Sequence, residues 1–150
     1  MPNRKTHVGV GAGSGGIAAL AKSQGQGPED RILEIIGGAL AGAGGARLPD
    51  VFDPPTWPGH RSLGHGVVPS GIGLTVVLAK MDEWQRALRE RAEEQVELRD
   101  SADTTLANIW HGILELVFRL LAGAVVGFPT GYASHLLLDA TTPKCLPLIA

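Results

Sequence analysis

His135 and Asp139 lie four residues apart in the stretch Gly131-Tyr132-Ala133-Ser134-His135-Leu136-Leu137-Leu138-Asp139-Ala140-Thr141-Thr142-Pro143. On a helix both side chains leave the same face, one turn apart. An imidazole and a carboxylate so placed can hold one metal ion, because the helix sets their separation beforehand. Their neighbours Ala133, Leu136, Leu137, Leu138 and Ala140 are apolar. A charged Asp among them is costly unless it is paired, hydrogen-bonded or metal-bound. Thr141, Thr142 and Pro143 are expected to stop the helix just beyond.

Further donors of the same kind stand elsewhere. Leu48 to Gly66 carries Asp50, Asp53, His60 and His65, with Arg61 between the two histidines, among several prolines and glycines. That composition predicts a fixed loop, and loops on a rigid scaffold are where chemistry collects. Asp before Pro is also ordinary turn chemistry, so spacing alone leaves a plain solvated turn open. His7 opens an apolar run near the start, and His111 and Glu115 form another pair four residues apart. They are read as additional ligands or as a hydrogen-bonded pair facing the bundle interior, with Arg119 snorkelling or pairing with Glu115. An all-N/O donor set suits Zn, Mn or Fe better than Cu(I) or an iron–sulfur cluster. The planar fork of Arg61 suits an anionic phosphate.

Composition narrows the setting. The chain has 150 residues, so a single domain over 1–150 is expected. A net charge of -2 gives no global pull toward nucleic acid. Charged residues make up only 19% and aromatics 5%, while glycine reaches 21 residues, roughly twice the ordinary share. Few charges with many small residues suit closely packed helices, a pattern that membrane helices use. The lone Cys145 excludes an internal disulfide and a cysteine-rich zinc site. No signal peptide of ordinary form begins the chain.

The positioning elements follow from hydropathy. Val8 to Ala21 is apolar and holds Gly11-Ala12-Gly13-Ser14-Gly15-Gly16. A phosphate loop would need a Gly-Lys-Ser/Thr ending that is absent, so a small-residue helix packed tightly on neighbours is expected. Residues 22–30 read as a polar turn, and Ile32 to Ala46 as a second apolar segment. Between Arg61 and Lys80 there is no other Asp, Glu, Lys or Arg, roughly a bilayer's length. From Lys80 to Asp103, Met81, Trp84, Leu88, Ala92 and Val96 recur at helical spacing among charges, predicting an exposed amphipathic helix. Ser101-Ala102-Asp103 is placed to cap the next one, a long apolar helix over 104–128. Phe128-Pro129 is expected to break or kink it before the His135 segment.

In order, the motifs are His7 at the head of a glycine-rich apolar segment, Leu-Pro-Asp-x-x-Asp-x-Pro (Leu48 to Pro54), Gly-His-Arg-x-x-x-His (Gly59 to His65), and Gly-Tyr-x-Ser-His-x-x-x-Asp-x-x-Thr-Pro (Gly131 to Pro143). This series resembles the YdjM-like proteins, described as inner-membrane metal-dependent hydrolases and as LexA-binding. The chain departs from them at Gly64-His65-Gly66, where the family usually has Thr-His-Ser. The resemblance implies an all-α, membrane-associated helical bundle with a Pro/Gly-rich metal-site loop, in a bacterial inner membrane. It carries His7, Asp50, Asp53, His60, His65, His135 and Asp139 over as metal-site residues.

The expectation is therefore a divalent metal, zinc foremost, whose activated water attacks a phosphoester-type bond, with Arg61 and His65 in catalytic roles and membrane lipid as surroundings. The phosphoester rests on analogy with zinc-dependent phospholipases C. The alternative is a non-catalytic membrane protein with a structural metal, binding a protein partner through helix 80–103.

Overall fold

The computed structural model describes residues 4–52 and 67–141, and these are all-α. Five helices follow in order among them: α1 Arg4–Lys22, α2 Pro28–Gly45, the short α3 Leu48–Phe52, α4 Val67–Asp100 and α5 Thr105–Ala140. Pro28 opens α2, where its missing N–H costs nothing, and Glu29 and Asp30 in the first turn complement the helix dipole. Gly25, at φ 90°, turns the chain between α1 and α2.

The middle of the bundle is held by absent side chains. A Cβ on Gly123, Gly127 or Gly131 of α5 would collide with the backbone carbonyls of Glu34, Gly38 and Gly42 of α2, respectively. Both series advance by four, so α2 and α5 run parallel, turn against turn. On the other side of α2, Gly11 and Gly15 of α1 meet Gly42 and Gly38, and Ala19 meets Gly38, so α1 is antiparallel. Small residues every fourth position let backbones approach to contact, the arrangement expected where helices lack a hydrophobic drive to associate. The glycine-rich run of α1 is thus a packing surface, as its sequence predicts.

The outward faces are apolar. Ile17, Leu40, Leu106 and Leu137 are each more than two-thirds exposed. Among the described residues α5 is the one helix long and apolar enough to cross a membrane, and only 33% of its apolar 18-residue window is buried inside the protein.

Several expectations change. Leu48–Phe52 is helical, not part of a loop. The apolar segment after residue 66 and the amphipathic one after Lys80 form a single helix, since Ala79, Lys80 and Met81 are good helix formers with nothing to stop propagation. The cap of α5 is Thr104, whose side chain accepts from the Ala107 N–H, not the preceding Ser101-Ala102-Asp103. Pro129 does not break α5, which continues to Ala140. The proline removes one donor, but Gly127 and Gly131 on either side are seated on α2, and that packing holds the helix through the gap. Neither is the face of α4 that meets the bundle free. Arg89 forms two 2.7 Å hydrogen bonds to the fully buried Glu34, and Gln85 adds a third at 3.2 Å. Arg119 pairs with Asp30 at 3.1 Å and Gln26 at 3.2 Å, whereas Glu115 pairs with Arg99.

Candidate metal centre

The parallel run of α2 and α5 brings their C-terminal ends together, and antiparallel α1 delivers its first turn to the same place. There the rings of His7 and His135 stack, with centroids 3.9 Å apart and planes 24° apart. Asp139 reaches both: its Oδ1 is 3.5 Å from His7 Nε2 and its Oδ2 is 3.7 Å from His135 Nε2. Asp50, on α3, places Oδ1 3.7 Å from His135 Nε2. The three nitrogen–oxygen separations are ionic contacts, too long for good hydrogen bonds.

Orientation of His135 comes from the backbone. Its Nδ1 donates to the Ala46 carbonyl at 2.6 Å. A carbonyl only accepts, so Nδ1 carries a hydrogen, and the ring turns Nε2 toward the carboxylates. This is the usual way a metal-binding imidazole is held.

The set suits a cation. His7, His135 and Asp139 each offer a ligand atom, all within 4.8 Å of one another, and all three residues are buried. Separations of 3.5 and 3.7 Å lie close to the ~3.4 Å edge of a tetrahedron with bonds of ~2.1 Å. Asp139 is 2% exposed and sits in the last turn of its helix, where the dipole disfavours negative charge. Two imidazoles with two carboxylates are a donor set that zinc, manganese and iron accept.

Of the residues singled out in the sequence, the structure brings together His7, Asp50, His135 and Asp139. Asp53, His60, Arg61 and His65 lie outside the described residues. His111 and Glu115 belong elsewhere. His111 Nδ1 contacts Gln95 Oε1 at 2.8 Å, Glu115 pairs with Arg99, and 24 residues of helix, about 36 Å, separate His111 from His135. The orienting Ala46 carbonyl was not legible, since no side chain announces it. Arg47 was also missed. It adjoins Ala46 and stands three residues before Asp50, and that spacing to a candidate ligand was the available signal.

No curated protein and no solved structure matches the chain. The family model described as YdjM inner membrane protein matches residues 1–150, and the chain therefore belongs to the YdjM family of inner membrane proteins.

Proposed function

We propose that this chain is a membrane-associated, metal-dependent hydrolase acting on a phosphoester-type bond. The observation that carries the reading is the convergence of His7, His135 and Asp139 from two ends of the sequence into one buried group, with ligand atoms within 4.8 Å. Asp50 adjoins it through His135. His7, His135, Asp139 and Asp50 would hold a divalent ion, zinc foremost and manganese or iron as alternatives. Such an ion supplies Lewis-acid activation of water and of the bond to be cleaved. The Ala46 carbonyl keeps His135 in one tautomer and one orientation. Asp139 bridges the two imidazoles and would offset the charge of a cation held between them. In the hydrolysis a phosphorus–oxygen bond breaks, phosphorus takes the hydroxyl of water, and the leaving alcohol takes the proton. Asp53, His60 and His65 complete the ligand set in this reading, and Arg61 holds the anion.

The test is elemental mass spectrometry on detergent-purified protein, wild type beside His135→Ala and Asp139→Ala. One or two equivalents of zinc, manganese or iron, lost in both variants, support the assignment. Full metal content in the variants would overturn it.

A second reading, a structural metal with a protein partner on residues 80–103, draws on the outer face of α4. Trp84 is 44% exposed there, among exposed Glu83, Arg86 and Glu90. Deleting that helix would strand Glu34, so the informative change is Trp84→Ala with Arg86→Ala, which abolishes partner capture and leaves metal content intact if this reading holds.

A further inference from the structure

Beside the His/Asp group, at the same end of the bundle, an open groove of about 380 Å3 is lined by Arg4, Lys5, Val8, Gly9 and Arg47. Its charged lining residues are all cations. Among the described residues none of the three has an ion-pair partner. Like charges gathered without a counterion repel, and an anion between them relieves the repulsion. Arg4 stands three residues before His7, and Arg47 three before Asp50, so each lies about one helical turn from a residue of the metal centre.

Apolar side chains stand one turn beyond Arg47. Val51, whose N–H bonds the Arg47 carbonyl at 3.2 Å, and Phe52 are each 63% exposed on α3. Cations beside outward apolar side chains are the pattern of a membrane–water boundary, where the charges meet headgroup phosphate and the apolar groups enter the acyl region. α5 places this end of an apolar bundle within reach of such a boundary. A soluble phosphate would gain nothing from Val51 and Phe52, whereas a lipid uses both halves.

We propose that the groove formed by Arg4, Lys5 and Arg47 binds the phosphate of an anionic phospholipid headgroup. The groove then presents a phosphoester beside His7 and Asp50. That the bound lipid is also the substrate rests on the hydrolase reading above; lipid binding itself does not.

The experiment is native mass spectrometry of the full chain in detergent, titrated with dioctanoyl phosphatidylglycerol, with phosphate-free dioctanoylglycerol, and with millimolar inorganic phosphate as competitor. Wild type should retain the phosphatidylglycerol and not the dioctanoylglycerol. The triple variant Arg4→Gln/Lys5→Gln/Arg47→Gln should lose it by roughly tenfold or more, since each cation near a headgroup contributes. Arg91→Gln, on the exposed face of α4, should bind as wild type does. Metal content should be unchanged in the triple variant. Should that variant melt early, Arg47→Gln alone should weaken retention and Arg47→Lys should preserve it. Equal retention by wild type and variants, or equal binding of dioctanoylglycerol, would overturn the proposal. So would binding of inorganic phosphate with no lipid retained, which would make the groove a site for soluble phosphate. Failure of the hydrolase reading registers separately, as wild-type protein without metal that still retains lipid.

Discussion

The Nδ1 of His135 and the carbonyl of Ala46, 2.6 Å apart, tie the end of α5 to the end of α2 and aim the remaining ring nitrogen at two carboxylates. Replacing His135 with Ala strands a buried acceptor, at a cost of about 1–3 kcal/mol. Thermal unfolding of the chelator-treated protein should show it as a lower midpoint for His135→Ala than for wild type.

Metal should stabilise what it binds. A ligand that binds only the folded state raises stability with the logarithm of its concentration over Kd. Chelation should therefore lower the unfolding midpoint of wild type and leave Asp139→Asn nearly unmoved. A chelator shift of equal size in both proteins would count against Asp139 as a ligand.

The α2–α5 contact should respond to a single methyl group. Gly127→Ala drives a Cβ into the backbone at Gly38 and should destabilise by about 1–3 kcal/mol. Gly13, on α1, has nothing within 4 Å of the same atom, so Gly13→Ala should gain about 0.5–1 kcal/mol through helix propensity. Unfolding midpoints moving in opposite directions for these two substitutions would verify the contact surface.

Glu34 is fully buried and its carboxylate is satisfied by Arg89 and Gln85. Arg89→Met leaves that charge unpaired and should cost about 3–5 kcal/mol. Adding Glu34→Gln should recover a large part of the loss. A double-mutant cycle measures the coupling, and additive effects would show that the pair is energetically idle.

Acid sensitivity is expected at the exposed junction of α1 and α4. The Lys22 ammonium, 2.7 Å from Asp82, holds its carboxyl below the ordinary value of 3.8, first by hydrogen bonding and then by charge. A depressed folded-state pKa contributes stability that is present above the unfolded value and lost as pH falls through the folded one. Wild type and Asp82→Asn should differ slightly at neutral pH, as an exposed pair implies, and converge once the pH falls below the depressed carboxyl value. Melting curves across pH 2.5–7 follow this.

The readable parts of the sequence were local ones. His135 and Asp139 share a helical face because of their spacing, and the glycines of α1 announce close packing. His7 and Asp50 entered through ordered motifs rather than periodicity, since nothing local says that residues so far apart meet. Long-range pairing was not legible: Glu34 with Arg89, and Asp30 with Arg119, are settled by how α2 lies against α4 and α5. For Arg119 the sequence offers snorkelling or pairing with the nearby Glu115, but that carboxylate is taken by Arg99 and Arg119 pairs with Asp30. The helix also runs on through Pro129, where the local rule for a break is overruled by packing on α2.

The parallel course of α2 and α5 bears on sidedness. Traverses of the bundle alternate, and their number is even, so Arg4, Phe52 and Ala140 emerge at a single face. With α5 across the bilayer, a membrane-impermeant label applied from one compartment reaches Arg47 and Thr141 together or reaches neither. The helical hairpin joining Asp100 to Thr105 faces the opposite way. In that arrangement the His/Asp group lies toward one compartment and the far pole of the molecule toward the other.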